Sequence, residues 1–269
     1  MPPHPGTPPM TGVSLIPLRG FPLVSQGDDL ARLIADSLTV TGLELRDDDV
    51  VVVTGKVVSK AEGRLVNLPD VEPSERARRL ASLTEKDPRV VELVLQESAE
   101  VVRARPGVLL VRHKLGFVSA VAGIDRSNVE GDDELILLLP RDPDSSARDL
   151  MESLYRHTGA HVAVVITDSH GRPFRVGNVG VAIGVAGMTA LVELEGRPDL
   201  FGRPLTGASK FPVADLVASA AVLVAGEGAE GTPVVVARGL HVSAEAGSAQ
   251  PLLRPRETDF FAIPDRDYD

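Results

Sequence analysis

Ser74-Glu-Arg-Ala-Arg-Arg-Leu-Ala-Ser-Leu-Thr84 and Pro88-Arg-Val-Val-Glu-Leu-Val-Leu-Gln-Glu97 both repeat apolar residues at helical spacing, and each opens with a residue that starts helices. Strand-like runs then follow in series at Val108–Arg112, Phe117–Ala122 and Glu134–Leu139. Helix after helix, then strand after strand, does not give the regular alternation of a doubly wound parallel sheet. The stretch therefore predicts an α+β fold, which we expect to be two-lobed.

Outward from it, β-branched runs predict strands at Val50–Thr54, Val162–Thr167, Gly180–Val185 and Val234–Arg238. Helical period predicts helices at Asp28–Thr41, Ser145–Thr158 and Val213–Val224. Pro, Asp and Gly gather at Glu62–Pro73 and Pro140–Asp144, the expected boundaries between the lobes. No internal repeat is visible. Residues 1–12 are rich in proline and lack the basic and apolar regions of a signal peptide, so a disordered tail and a cytoplasmic location are expected.

The 269 residues are 43% hydrophobic, enough to bury a substantial core, and carry a formal charge of −10, which disfavours a nucleic-acid partner. Aromatic residues are 3% of the chain, so stacking platforms for single strands are scarce. No cysteine is present, which excludes disulfides and thiolate metal sites and leaves oxygen ligands or the six histidines. The apolar runs fall short of the roughly 20 residues that span a bilayer, so no membrane helix is expected.

Gly226-Glu-Gly228-Ala-Glu-Gly231 has the spacing of a dinucleotide fingerprint in the wrong context, after a helix and before a strand. Glu227 and Glu230 there are either site carboxylates or a solvated turn. Gly202-Arg-Pro-Leu-Thr-Gly207-Ala-Ser lacks the lysine of a P-loop. A bound nucleotide would then be held by metals on carboxylates and by scattered Lys, Asn and backbone donors.

Asp125 and Asp168 end apolar segments, where a carboxylate either binds a hard cation or caps a turn. Asn128 either donates to phosphate or closes an Asx turn. Lys60 and Arg64 follow a strand and either neutralise an anion or are surface charges. The histidines show no metal-ligand spacing, and no nucleophile elbow is present.

Six stretches together resemble the coenzyme F-420-0:γ-glutamyl ligase family, from about Val13 to Arg254. They are Gly20-Phe-Pro-Leu-Val with Gly27-Asp-Asp-Leu, Val57-Val-Ser-Lys-Ala-Glu-Gly-Arg64, Ala122-Gly-Ile-Asp-Arg-Ser-Asn-Val129, Thr167-Asp-Ser-His-Gly-Arg-Pro-Phe-Arg175, Ala182-Ile-Gly-Val-Ala-Gly187 and Gly226-Glu-Gly-Ala-Glu-Gly-Thr-Pro-Val234. The resemblance implies one ligase domain over residues 13–254, a C-terminal extension over 255–269 and no nitroreductase-like domain. It also implies an intertwined homodimer that uses GTP, two Mg²⁺ or Mn²⁺ ions per subunit and K⁺ to add L-glutamate to F-420-0.

Carried over by motif, Asp125 and Asp168 are the expected catalytic, metal-binding aspartates, joined by Ser169 and Glu227. GTP contacts are implied at Gly20, Phe21, Pro22, Leu23, Gly55, Lys56, Lys60, Asn128, Gly226, Glu227 and Gly228. Arg172 and Arg175 are expected to meet substrate. His170 stands where phenylalanine is commoner. Rival readings are a γ-glutamyl ligase for another acceptor, a nicotinamide-dependent oxidoreductase resting on the 226–231 glycines, and a binding protein without turnover.

Overall fold

The computed structural model describes residues 12–126, 134–172, 175–207, 210–226, 228–240 and 242–259. Its first half runs β1 (Ser14–Pro17), α1 (Leu30–Thr41), β2 (Val50–Thr54), α2 (Gly55–Ala61), β3 (Leu65–Asn67), α3 (Glu75–Thr84), α4 (Pro88–Gln96), β4 (Ser98–Arg105), β5 (Val108–His113) and β6 (Val118–Ala120). The second half runs β7 (Leu135–Leu137), α5 (Pro143–Thr158), β8 (Ala163–Arg172), β9 (Arg175–Ala186), β10 (Val192–Glu193), β11 (Lys210–Phe211), α6 (Val213–Ala225) and β12 (Val234–Arg238).

The main sheet has the order β1-β12-β2-β8-β9. Only β2 and β8 pair in parallel; the other three pairs are antiparallel. A doubly wound parallel sheet is therefore excluded, and the class is α+β. Val50-Val-Val-Val53 is buried on both sides because the sheet is covered on both faces. Val51 and Val53 join Ile34, Leu38, Leu150, Leu154 and Ile166 under α1 and α5. Val50 and Val52 join Val165, Val185, Val217 and Ala221 under α6. At about 1.5–3 kcal/mol per buried aliphatic side chain, these two layers are a main source of the fold's stability.

The helix ends follow from local chemistry. Asp29 caps α1 through the Arg32 N–H, Ser74 caps α3 through Ala77, and Asp142 precedes Pro143 to start α5, whose N-terminal limit lies two residues before the expected Ser145.

A third apolar cluster gathers Leu68, Leu80, Val91, Val94, Leu109, Val111, Ile136 and Leu138, drawn from α3, α4 and β5 and from the segments around β3 and β7. The chain changes cluster between Leu138 and Leu139. The expected loop Glu62–Pro73 is partly ordered instead: β3 pairs antiparallel with β7, and a 3-10 turn spans Leu68–Asp70.

Strand β9 is one of the sheet's two outer strands and carries a bulge at Ile183, between the pairs Ile166↔Gly184 and Thr167↔Ala182. The N–H groups of Ala182 and Val185 donate to Asp215 Oδ1 and Asp144 Oδ1, each at 2.9 Å. These carboxylates blunt an edge that would otherwise offer unpaired donors. Gly184 is required here, since a β-carbon would collide with the Pro143 carbonyl at the start of α5.

Candidate active site

Strand directions bring four of the expected segments to one end of the main sheet. β2 and β8 run in parallel and finish side by side at Thr54↔Thr167. β1 and β12 place Pro17 opposite Val235 at that same end, where the Leu18 N–H donates to Val234 O and the Thr54 N–H to Pro233 O. The Gly20–Leu23 loop, the Gly55–Lys56 start of α2, Asp168 and the Gly226 loop after α6 therefore leave the sheet together.

Asp125 reaches this end from the third cluster. It follows a 3-10 turn at Val121–Gly123 and bridges to Leu137, so it does not sit at the end of a strand as expected. Asp168 is likewise not a strand end: β8 continues to Arg172 because it pairs with β9 through a polar hairpin. Lys60, expected just past a strand, lies in the last turn of the unforeseen helix α2.

Two contacts organise the acids. Lys56 Nζ lies 2.7 Å from Asp125 Oδ2, with both side chains about two-thirds buried. His170 Nε2 lies 3.0 Å from Asp168 Oδ2, a close contact off the line of a hydrogen bond. The acids are linked through Gly123 (φ +65°), where a β-carbon would stand 3.3 Å from Asp168 Oδ2 and closer still to Leu139. Glycine here lets the Asp125-bearing turn close over Asp168.

Behind the acids is a buried layer that the sequence reading missed. The Phe117 ring packs on His170 at 4.8 Å and stacks on His113 at 5.1 Å. His113 is 3% exposed and accepts the Leu115 N–H at Nδ1. Burial, aided by nearby Arg64 and Lys114, pushes its pKa down to about 4, so it is neutral at pH 7. Arg64 is no surface charge: its Nε donates to Leu139 O and its Nη2 pairs with Glu97 at 2.6 Å. The signal available beforehand was two aromatic-type residues, His113 and Phe117, in a chain poor in rings.

The remaining expected residues are distributed as follows. Phe21 packs against the first cluster while Leu23 is exposed. Gly55 is buried, and a β-carbon there would stand 3.3 Å from the Thr167 carbonyl oxygen. Ser169 is exposed, and its strand position directs it to the face opposite Asp168. Gly226 caps α6 with φ +75°, and the Gly228 N–H donates to Glu230 Oε2. Arg172 donates to Val176 O within the β8–β9 hairpin, and Arg175 is exposed. Asn128 and Glu227 lie outside the described residues.

Oxygen donors on Asp125 and Asp168 are the right chemistry for a hard divalent cation. Among the described residues no group of three or more His, Asp or Glu side chains converges as a cation cage. Thr167 Oγ1 and Ser59 Oγ are buried beside this end of the sheet with no hydrogen-bond partner. Such groups are costly unless satisfied. The Lys56 ammonium on Asp125 shows that the acid favours a cationic neighbour.

Fold and site together define an α+β enzyme with carboxylates and lysines gathered at one sheet end. The family model described as F420-0:Gamma-glutamyl ligase matches residues 20–239, and the chain belongs to that family. A coenzyme F420:L-glutamate ligase of Methanothermobacter thermautotrophicus is 46% identical over 93% of this chain and 99% of its own. Those named for Methanopyrus kandleri and Archaeoglobus fulgidus are 43% and 45% identical, over 94% and 92% of this chain and 100% and 95% of theirs. The rival nicotinamide reading falls with this membership, and its glycines follow α6 and precede the antiparallel β12.

Proposed function

We propose that this chain is an acid–amino-acid ligase that joins L-glutamate to coenzyme F-420-0 at the expense of GTP, and then adds further γ-linked glutamates. The observation that carries the reading is its near-full-length similarity to ligases named for that reaction. In the reaction a carboxylate oxygen of F-420-0 attacks the γ-phosphorus of GTP and GDP leaves. The glutamate amine then attacks the acyl carbon, an amide forms, and phosphate departs after the amine has given up a proton.

Asp125 and Asp168, with Glu227, are the residues that would hold Mg²⁺ or Mn²⁺, and K⁺ would bind nearby; Ser169, directed to the face opposite Asp168, would not join them through its side chain. When bound, the divalent ions neutralise charge on the transferring phosphoryl group. The chain's own groups supply position and charge. Lys56 holds Asp125 in place and brings a cation to the phosphates, while Lys60 and Asn128 add donors. The Gly20–Leu23 and Gly226–Gly228 loops flank the nucleotide. Arg172 and Arg175, at the tip of the β8–β9 hairpin, attract the acidic acceptor.

We read the third cluster as a separate lobe and the working unit as a cytoplasmic homodimer. Supporting the dimer are the exposed Leu216, Leu223 and Val224 on one side of α6 and the exposed Leu200 and Phe201. Sedimentation of a dimer that becomes a monomer in a Leu216→Glu, Leu223→Glu variant is the expected outcome.

The activity is tested by mass spectrometry of F-420-0 incubated with protein, L-glutamate, GTP, Mn²⁺ and K⁺. Glutamyl mass gains that require GTP support the ligase. No gain with folded protein would shift the reading to another acceptor acid or to a binding role.

A further inference from the structure

Asp125 is placed by its backbone. Its N–H donates to Leu137 O at 3.0 Å and its carbonyl accepts the Leu137 N–H at 2.9 Å, so it lies along one edge of β7. The other edge of β7 is taken by β3, with Leu65 opposite Leu137. The next rung on that side belongs to Arg64, whose carbonyl accepts the Leu138 N–H at 3.1 Å. Arg64 is also fastened to α2. Its N–H donates to Ser59 O and that of Gly63 (φ +68°) to Lys60 O, the paired bonds that close a helix through a left-handed glycine. The helix that carries Lys56 is thus joined through Arg64 to the strand that holds Asp125, and the Lys56 to Asp125 contact at 2.7 Å completes the ring.

The Arg64 side chain is 8% exposed and lies at the seam where the chain passes from the third cluster to the first. Its Nε donates to Leu139 O at 2.8 Å, just past that crossing, and its Nη2 to Glu97 at 2.6 Å, at the C-terminal end of α4. A planar fork with two fixed directions holds both partners; an ammonium on a flexible stem does not. We propose that Arg64 is a positioning residue whose guanidinium locks α2 to β7 and so sets the reach of Lys56 to Asp125. The inference rests on the reading that these two side chains face the transferring phosphoryl group, where a misplacement of about 1 Å costs about 100-fold in rate.

The test compares the full chain with Arg64→Lys, Glu97→Ala and, as a measure of instability alone, Arg238→Met, which breaks a pair with Asp49 at the far end of the sheet. Each is followed by thermal melts, by GTP-dependent glutamylation below the melting temperature, and by amide hydrogen exchange. Expected is a fall in kcat on the order of 100-fold for Arg64→Lys and a smaller fall for Glu97→Ala, each larger than the change in the KM for GTP, with Arg238→Met close to wild type. Exchange at Asp125, Leu137 and Leu138 should rise in both variants by more than at Val51 and Val165 of the main sheet. Turnover in Arg64→Lys equal to that of Arg238→Met overturns the proposal. So does exchange that rises equally in both places, which would reduce Arg64 to a prop for the fold. Should Arg64→Lys not fold, Glu97→Ala decides by the same two readouts.

If wild type adds no glutamate, the ligase reading fails, and the lock is judged on exchange alone. Faster exchange concentrated at Asp125, Leu137 and Leu138 upholds it; a uniform rise, or none, contradicts it.

Discussion

The two ends of the main sheet both carry aspartates set against basic side chains, but the contacts differ in completeness. At one end Asp49, 1% exposed, receives Arg238 through both oxygens at 2.8 and 2.7 Å, and the guanidinium also reaches Glu44 O. At the other, Asp125 meets Lys56 and Asp168 meets His170, with side chains partly open to solvent. A charge satisfied on every side anchors the fold; a charge satisfied on one side keeps an oxygen for something else. A cavity of about 670 Å³ lies at the Asp49 end, between Tyr155, His161 and Val242.

Substitutions at each end sharpen this contrast. The largest effect is expected from Asp125→Asn or Asp168→Asn, which should lower kcat at least about 100-fold while leaving the melting temperature close to wild type, as measured by product formation and calorimetry. Next comes Arg238→Met. It leaves the buried Asp49 charge unpaired and should cost about 3–5 kcal/mol in denaturant unfolding, with activity retained below the melting temperature.

His113 predicts a pH dependence. Its folded pKa of about 4 lies below the model-compound value of 6.5, so the unfolded state binds the extra proton between those values. Stability contributed by the neutral ring is present above pH 6.5 and is lost as pH falls towards 4, amounting to about 3 kcal/mol in all. Denaturant unfolding of wild type should lose this stability as pH falls from 6.5 towards 4, and His113→Phe should lack that component of the pH dependence.

The smallest effect concerns Asp215, whose pKa is raised by burial despite the Ala182 N–H it accepts. Its ionisation opposes folding as pH rises above the unfolded value of 3.8. Asp215→Asn, which can still accept that N–H, should stabilise slightly at pH 7 and lose the advantage at pH 3.

Sequence reading recovered Val50–Thr54 and Val234–Arg238 to the residue, because β-branched runs buried on both faces have no competing helical pattern. It missed α2, since Gly55-Lys-Val-Val-Ser-Lys-Ala61 is short and merges with the valines of β2. It missed β4, Ser98–Arg105, whose charged side chains alternate without a strong apolar face, and it cut β8 and β9 short where their hairpin turns polar. Asp125 and Asp168 were legible by motif. Lys56 on Asp125, His170 on Asp168 and the rings behind them were not, because each pairing is made by tertiary structure or by strand alternation that no local pattern announces.

Glutamyl ligation is assigned to the Asp125 and Asp168 end of the sheet. Its most direct test is the GTP-dependent mass gain of F-420-0, run side by side for wild type, Asp125→Asn and Asp168→Asn, each verified as folded. Added glutamate is expected with wild type and essentially none with either variant. Wild-type yields from both variants would contradict it.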